Sequence, residues 1–422
     1  MLTRMAGMQY EAKAAEITAP VSQPPVTQPP VTQSKMRLEA LDLLRGLLMI
    51  LMALDHTRDY FSNVTIDATA PLQSWPALFI TRWITHLCAP GFVALAGASV
   101  YLQRRRGKSA EQVAWLLFTR GAWLLLLDLS LITFGWSFTL LAPYMNIISA
   151  IGICMMGLAA LQRLNVRWIG AIGGLIVLLH DLLDPIQASQ LGPFGNLWIL
   201  LHQQGFMLYH GQRFAMVYFP VLAWFGIMCL GYAFGAVVTT PCGARRRTSL
   251  GLAAFSLISF TLLRVLHGYG DTYRFQHLAA SSRSAMSFFQ VQKYPPSLQY
   301  VLVTFGVLLI LYALFDAVVQ GNRLPRTRAF TEVFGRVPFF FYVLHIYLIH
   351  TAALLATMAV HGDWRFWIGP GSTWGDGPPA GYGYGLPVVY CIWVIVVLAL
   401  YFPCRWFSHL KARRRDWWLS YL

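Results

Sequence analysis

The sequence contains few charged residues. Only 12% of its 422 residues are charged, whereas 57% are hydrophobic. Water-soluble domains carry about a quarter charged residues, so this composition excludes an ordinary soluble enzyme or regulator. It predicts a membrane protein whose chain crosses the bilayer many times.

The sequence also lacks the patterns that hold metals, disulfides or nucleotides. Its six cysteines stand singly, mostly inside apolar runs, and we interpret them as small core residues. It contains no phosphate-binding glycine loop, no nucleophile elbow and no HExxH motif. We therefore expect no metal site. The first apolar run begins only after Arg37, so we also expect no cleavable signal peptide.

The charges that are present are mostly positive, and the net charge is +15. In a soluble chain this excess would suggest nucleic-acid binding. Here the arginines lie in short blocks between apolar spans, which is the pattern that orients membrane proteins, so we expect no nucleic-acid partner. The blocks fall on alternate loops, at 104–108, 163–167, 245–247, 323–328 and 413–415. With ten helices, these loops share one side with both termini, which predicts that both termini are cytosolic.

Long apolar runs predict an all-α fold, a polytopic transmembrane bundle of about ten helices. The predicted spans are 37–60, 76–102, 112–134, 143–161, 168–183, 214–238, 250–266, 298–319, 337–360 and 386–407. The stretch 193–208 is apolar but short and contains glycine, which favours a re-entrant or interfacial segment. We predict a disordered, Pro-rich cytosolic tail over 1–36, a transmembrane domain over 37–410, and a basic, aromatic cytosolic tail over 411–422.

The first predicted helix has the sequence RLEALDLLRGLLMILMALDHTRDY and carries several ionisable groups. Such groups cost a few kcal/mol at membrane depth, so a helix that carries several is expected to have a function built around them. One polar and sulfur-bearing stripe contains Asp42, Arg45, Met49, Met52, His56 and Asp59. Arg45 and His56 are about three turns apart, so they point the same way at depths that differ by about 16 Å.

Polar residues also lie near the predicted outer ends of the other helices. Each alone more often has a structural role, but together they predict a water-filled outer vestibule. They include Asp55, His56, Asp59, Arg82, His86, Asn146 and Arg264. His56 stands next to acids and has the means to act as a general base. A carboxylate bonded to one ring nitrogen would fix its tautomer and raise the basicity of the other.

His345 lies near the middle of the predicted span 337–360. A histidine at this depth is unfavourable without a partner. His345 is therefore either a catalytic or binding group, or a hydrogen bond between helices. His350 does not share its helix face, which argues against a haem or metal pair.

Three segments resemble a known family. They are LDLLRGLLMILMALDHTRDYF, FITRWITHLCAPGFVALAGAS and FFFYVLHIYLIH, and they resemble the heparan-alpha-glucosaminide N-acetyltransferase catalytic-domain family in its bacterial membrane-protein branch. The spacing from Arg45 to His56 is also similar to a signature of the large bacterial membrane acyltransferase family that O-acylates cell-surface glycans. The resemblance implies a multi-pass enzyme of the bacterial cytoplasmic (inner) membrane. Such an enzyme moves an acyl group, usually acetyl, from cytosolic acyl-coenzyme A to a sugar hydroxyl or amine of an outer envelope glycan or glycolipid.

The resemblance also implies roles for particular residues. In the second family the histidine that matches His56 is catalytic, which makes His56 the expected base and Asp55 or Asp59 its orienting group. The heparan enzyme carries asparagine at that position, so His86 is the reserve candidate. Residues expected to bind the phosphates of acetyl-CoA, the co-substrate, are Arg45, Arg104 and Arg105. Residues expected to bind the acceptor are Arg82, Asn146, Arg264 and His345.

A transporter or flippase for a small polar or lipid-linked solute is the alternative function. Transporters share buried charges and outer vestibules but often have internal repeats, and we find no convincing repeat in this sequence. A non-catalytic scaffold would leave the polar stripe of the first helix unexplained. The expected partners are membrane lipids, acyl-CoA and the glycan or glycolipid acceptor, and a homodimer stays an open alternative.

Overall fold

Helices make up most of the chain that the computed structural model describes. The described residues are 31–141, 143–362, 365–369, 381–414, 416 and 419. The chain divides into two units, residues 1–35 and 36–422, and the second unit contains the helical bundle. The predicted N-terminal tail lies outside the described residues as far as residue 30. Most of the predicted C-terminal tail beyond 414 also lies outside them.

The apolar runs form long helices because hydrocarbon offers no hydrogen-bond partners to the backbone. In a helix, the backbone N–H and C=O groups bond to one another. The helices are α1 (Val31–Phe61), α2 (Pro76–Ile84), α3 (Cys88–Arg104), α4 (Ala110–Leu127), α5 (Thr133–Ser137), α6 (Ile147–Leu161), α7 (Val166–Leu179), α8 (Gly195–Leu201), α9 (Val221–Val238), α10 (Cys242–Leu266), α11 (Ser281–Phe289), α12 (Leu298–Gln320), α13 (Pro325–Arg336), α14 (Pro338–His361) and α15 (Leu386–Arg413). Helix α1 is described from Val31, so its first residues lie inside the segment that we predicted as a tail.

Eight helical stretches of the described chain are long and apolar enough to cross a membrane. They are Pro76–Arg104, Ala110–Ser137, Val166–Leu183, Val221–Val238, Cys242–Leu266, Leu298–Gln320, Pro338–Val360 and Leu386–Arg413. The two other predicted spans are also helical. They are α1, which carries charged residues along its length, and α6, which has only 15 residues. The prediction of an all-α, polytopic helix bundle is therefore confirmed, while the side on which the termini lie stays a prediction.

A small sheet occupies parts of three predicted segments, 143–161, 193–208 and 214–238. Residues 214–217, predicted to begin a helix, end strand β3 (Gln212–Val217), which pairs with β1 (Tyr144–Met145) and β2 (Gly205–Tyr209) in the order β1-β3-β2. The stretch 193–208, predicted as re-entrant, instead contains α8 and most of β2. The turn residues His210 and Gly211 both have positive φ, which suits a two-residue hairpin turn.

The basic loops lie at one end of the bundle, where side chains connect them. Arg104 donates to both the backbone oxygen and the side chain of Gln162. Arg245 pairs with Asp316 at 2.5 Å. The predicted blocks 104–108, 163–167, 245–247 and 323–328 are all at this end, which we call the basic end. The loops 62–75 and 267–297 are at the opposite end.

The carboxylate of Asp128 connects α4 to the start of α6. A π-helical turn, Asp128–Ile132, follows α4, and the Asp128 side chain accepts hydrogen bonds from the backbone N–H groups of Asn146 and Ser149 at 2.7 and 3.0 Å. These groups lie at the N-terminal end of α6, where backbone donors lack helical partners and a negative charge is favourable. Asp128 therefore sets the position of Asn146.

Close contact between α3 and α9 requires glycine. A Cβ atom at Gly97 would meet the backbone oxygen of Met228 and the backbone nitrogen of Tyr232. Glycine and other small residues allow helix backbones to approach closely in membranes, where packing drives association. Gly97 therefore sets how closely these two helices pack.

We predict that Gly97→Ala lowers the free energy of unfolding by about 1–3 kcal/mol, because the added methyl group overpacks this contact. The matched control is Gly251→Ala in α10, where nothing lies within 4 Å of the added carbon. Alanine is the better helix former, so the control should keep or slightly raise stability. Thermal unfolding in detergent measures both variants. Equal stability of the two would contradict the close contact.

Candidate active site

A cavity of about 430 Å³ lies at the end of the bundle opposite the basic loops. Helix α1 provides one wall, with His56 and Asp59 at the end of its polar stripe and Asp55 beside them. The other polar residues that line the cavity include Arg58, Ser62, Thr65, Asp67, Arg82, Thr85, Asn146, Lys293, Tyr294 and Tyr342. Five residues predicted to be functional therefore surround one cavity: Asp55, His56, Asp59, Arg82 and Asn146.

Arginines neutralise the acids in this cavity. The Asp55 carboxylate is 2.5 Å from Arg82 and 3.1 Å from Arg58, and Arg58 also lies 2.6 Å from Asp59. Asp55 is buried, and such a carboxylate is stable only when it is paired. The two acids are therefore occupied by arginines, and no described contact joins either of them to a ring nitrogen of His56.

His345, on α14, makes the contact with His56 that we expected from a carboxylate. The Nδ1 atom of His56 lies 2.7 Å from the Nε2 atom of His345, although the two residues are 289 positions apart in the chain. The rings are nearly parallel, with centroids 4.9 Å apart. His345 is fully buried and lies behind His56, outside the lining of the cavity. Of the two roles considered for His345, the structure shows the hydrogen bond between helices.

The surrounding atoms assign the tautomers of the two histidines. The Nδ1 atom of His345 lies 3.1 Å from the backbone oxygen of Phe341, which can only accept a hydrogen bond. A neutral His345 therefore carries its proton on Nδ1 and accepts at Nε2. His56 must then donate from Nδ1, which leaves the lone pair on its Nε2 atom. This is the state that a general base requires.

Asn146 and His86 differ in their access to the cavity. Asn146 lines it, and its buried side-chain nitrogen lies near the Asp128 carboxylate without a hydrogen bond of ordinary length. His86 is buried beside Tyr300, at 5.5 Å between ring centroids, and is not part of the lining. The geometry therefore favours His56 over His86 as the base.

Arg264 lies outside the cavity and holds a loop. Its guanidinium group donates to the backbone oxygens of Tyr273, Ser287, Phe288 and Gln290 at 2.5–2.9 Å. It also lies 3.3 Å from the side chain of Gln299. These contacts use the donors that we expected to bind the acceptor, so the structure gives Arg264 a structural role instead.

The loop that Arg264 holds leads to Lys293 and Tyr294, which do line the cavity. Asp271 stabilises the same loop, since it accepts hydrogen bonds from Ser297 Oγ and the backbone nitrogen of Gln292 at 2.6 and 3.0 Å. Burial raises the pKa of Asp271 above its ordinary value. The sequence analysis did not single out Lys293, because an isolated lysine in a loop carries no pattern.

A second cavity, of about 350 Å³, lies nearer the basic end. Four cations line it, namely Arg45, Arg120, Arg336 and Lys411. Arg45 is held at 2.7 Å from Asp42 and at 3.0 Å from the backbone oxygen of Gly335. This cavity thus combines a cationic lining with apolar walls that include Met49. We name it the basic cavity, and the one around His56 the histidine cavity.

The basic cavity includes only one of the three arginines predicted to bind the co-substrate. Arg104 is engaged with Gln162, and Arg105 is exposed in the loop after α3. Neither lines a described cavity. Arg120, Arg336 and Lys411 were not predicted, because they come from three helices far apart in the sequence. Arg336 and Lys411 lie near helix ends, as interfacial cations often do, whereas Arg120 lies in the middle of α4.

The two cavities meet at a shared wall. Phe92, Ile147 and Tyr342 line both of them. Along α1, Met49 faces the basic cavity and Met52 faces the histidine cavity. The polar and sulfur-bearing stripe of α1 therefore follows both cavities through the bundle.

No group of three or more His, Cys, Asp or Glu side chains that could hold a metal ion occurs in the part of the chain that the structure describes. The lining of the histidine cavity offers a neutral imidazole base, an amide donor and several cations. These groups suit proton transfer from an amine or hydroxyl.

Comparison with known proteins identifies the family. The family described as "Heparan-alpha-glucosaminide N-acetyltransferase, catalytic" matches residues 37–267, which is more than half of the chain. This match includes Arg45, His56, Arg82 and Asn146 but ends before His345. A comparison with curated proteins gives no match. The chain therefore belongs to the heparan-alpha-glucosaminide N-acetyltransferase catalytic-domain family.

Proposed function

We propose that this membrane protein transfers an acetyl group from acetyl-CoA, bound at the basic end, to a sugar amine or hydroxyl that enters the histidine cavity from the opposite side. Membership of the family makes it a membrane acetyltransferase. The observation that carries the finer proposal is the arrangement of two cavities, one cationic and one containing His56, on either side of a shared wall. We further propose the bacterial cytoplasmic membrane as its location and an envelope glycan or glycolipid as the acceptor.

The lining of the basic cavity suits the phosphates of coenzyme A. One guanidinium group can bind two phosphate oxygens at once, and a lysine adds a further positive charge. Arg45, Arg120, Arg336 and Lys411 supply these groups from four helices. The apolar walls beside them suit the uncharged pantetheine arm.

The length of α1 supports delivery of the thioester to His56. Arg45 and His56 are eleven residues apart, or about 16 Å along the helix. Met49 and Met52 lie between them and face the two cavities in turn. An arm that follows this stripe would bring the acetyl carbonyl to the shared wall beside His56.

The hydrogen bonds around His56 support a direct transfer. His56 Nε2 takes a proton from the acceptor amine or hydroxyl while the acceptor atom bonds to the acetyl carbon. The carbon–sulfur bond then breaks, and the same nitrogen returns the proton to the leaving thiolate. His345 accepts from Nδ1 throughout, so it stabilises the imidazolium that forms. The Asn146 side-chain nitrogen, which lines the cavity, is a donor for the oxyanion.

We predict that His56→Gln lowers the rate of thiol release from acetyl-CoA in the presence of glucosamine by about 10²-fold or more, since general bases contribute at least that much. The protein should still be stabilised by acetyl-CoA in a thermal-shift assay, because His56 lies away from the basic cavity. His86→Gln is the matched control and should keep most of the activity. Loss of activity in His86→Gln, with His56→Gln active, would show that the base is misassigned.

We predict that His345→Leu lowers kcat by about 10²-fold with little change in KM, because His56 loses the acceptor that fixes its tautomer. His345→Gln should restore much of this loss, since its amide oxygen can accept a hydrogen bond near the position of Nε2. Steady-state kinetics with acetyl-CoA and glucosamine distinguish the variants. Equal activity of the Leu and Gln variants would argue against a role for this hydrogen bond.

We predict that Lys411→Gln raises KM for acetyl-CoA about 10-fold or more while kcat changes little, because a hydrogen bond to a charged group contributes about 1.5–3 kcal/mol. Arg105→Gln is the control, since Arg105 is exposed and lines neither cavity. The same kinetic assay measures both variants. A larger effect from Arg105→Gln than from Lys411→Gln would contradict the assignment of the basic cavity.

A further inference from the structure

Tyr342 lies at the shared wall of the two cavities but has no part in the proton transfer that we propose for His56. The residues that line both cavities are Phe92, Ile147 and Tyr342. Phe92 and Ile147 have hydrocarbon side chains, so of these three only Tyr342 has a side-chain hydrogen-bond donor. The proposed path brings the acetyl carbonyl to this wall. Tyr342 therefore adds a donor at the place where we expect the thioester to react.

Ring contacts hold Tyr342 beside the two histidines. Tyr342 precedes His345 by three residues on α14, and their ring centroids are 5.3 Å apart. The ring centroid of Tyr342 also lies 6.5 Å from that of His56. Trp136 packs against His56 as well, with 4.7 Å between their ring centroids. Tyr342 is only 4% exposed, so these contacts fix its ring next to the proposed base.

The surroundings of the Tyr342 hydroxyl leave its proton available. The hydroxyl lies close to the indole nitrogen of Trp136. An indole N–H group can only donate, so the oxygen of Tyr342 is the acceptor in this contact. None of the described residues accepts a hydrogen bond from the Tyr342 hydroxyl. Since Tyr342 lines both cavities, we expect its O–H group to donate to a molecule bound at the shared wall.

Asp128 lies close to both Tyr342 and Asn146, the other proposed donor. Its carboxylate accepts a hydrogen bond from the backbone N–H of Asn146 at 2.7 Å and lies within electrostatic range of the Tyr342 hydroxyl. Tyr342 and Asn146 both line the histidine cavity. Tyrosine and asparagine side chains are among the donors that stabilise oxyanions in acyl-transfer enzymes. The two side chains are therefore candidates for one oxyanion hole.

The acidities of the reacting groups distinguish two roles for the hydroxyl. It could donate a hydrogen bond to the carbonyl oxygen, or it could transfer its proton to the leaving sulfur. A free thiol has a pKa of about 8.5 and a phenol one of about 10, so a thiolate can leave without the proton of a tyrosine. The carbonyl oxygen, by contrast, gains negative charge as the acceptor atom bonds to the carbon. A hydrogen bond to this oxygen is stronger in the transition state than in the ground state, as catalysis requires.

We propose that Tyr342 is a catalytic residue that donates a hydrogen bond to the acetyl oxygen in the tetrahedral intermediate. This role rests on the proposed acetyl transfer. When the acceptor atom bonds to the acetyl carbon, one electron pair of the C=O bond moves onto the oxygen, and the O–H group of Tyr342 stabilises it. When the carbon–sulfur bond breaks, this pair re-forms the C=O bond and the thiolate leaves. Tyr342 keeps its proton, while the proton of the acceptor passes through His56 to the thiolate.

The test compares Tyr342→Phe with Tyr347→Phe in thiol release from acetyl-CoA with glucosamine as the acceptor. Tyr342→Phe removes only the hydroxyl and should lower kcat about 10²-fold with little change in KM, since loss of one oxyanion donor costs about that much. Tyr347 is the matched control on the same helix. Its hydroxyl donates to the backbone oxygen of Leu131 at 2.7 Å, and it lines neither cavity. Tyr347→Phe should therefore keep a kcat close to that of the wild type.

Thermal unfolding in detergent shows whether the variants are folded, and acetyl-CoA should stabilise both as much as it stabilises the wild type. Three results would overturn the role of Tyr342 while the proposed reaction stands. They are a wild-type kcat in Tyr342→Phe, an equal loss of kcat in the two tyrosine variants, and a loss that appears only in KM. Absence of acetyl transfer by the wild-type protein would overturn both proposals, so the two failures are distinguishable.

Discussion

Hydrocarbon offers no hydrogen bonds, so each polar group inside this bundle must find its partner within the protein or face a cavity. Several groups find such partners. Asp128 accepts from the first backbone donors of α6, and Arg264 donates to four backbone oxygens of the loop before α12. Arg245 pairs with Asp316. These contacts hold the helix ends and loops in place around the cavities.

The same constraint explains why the remaining polar groups collect around the path through the bundle. Asp55 and Asp59 are neutralised by Arg58 and Arg82, and the neutral pair of His56 and His345 adds no charge to the interior. A base that is held by a second histidine stays uncharged until it takes a proton. The bundle can therefore bury the proposed reaction centre beside the histidine cavity without burying an unpaired charge.

Much of the fold could be predicted from the sequence, because the length of an apolar run is enough to identify a membrane helix. The sequence also brought His56, Asp55 and Asp59 together as one candidate group, since these residues share one helix, and all three line the same cavity. What failed depended on contacts between distant segments. The partner of His56 is 289 residues away, and nothing in either sequence segment indicates which helix faces which. The contacts of Arg264 were missed for the same reason, because its acceptors are backbone oxygens at the C-terminal end of α11 and in the segments on either side of it.

Short and mixed elements were also harder to predict than long ones. Strand β3 is apolar enough to resemble the start of α9, and only its pairing with β1 and β2 distinguishes it. The cations of the basic cavity come from α1, α4, α13 and α15. Taken singly, none of them indicates a shared site. Their proposed role as one phosphate-binding group depends on the packing of four helices.

We propose that the two cavities form one path through the membrane. A sided assay in proteoliposomes tests it, with acetyl-CoA added outside and isotopically distinguishable glucosamine inside and outside. The protein inserts into vesicles in both directions, but only molecules whose basic end faces outward can bind the added acetyl-CoA. Molecules of the opposite orientation therefore do not contribute product. The account predicts N- or O-acetylated sugar almost entirely from the internal pool. Acetylation of the external pool alone, or of neither pool, would contradict it.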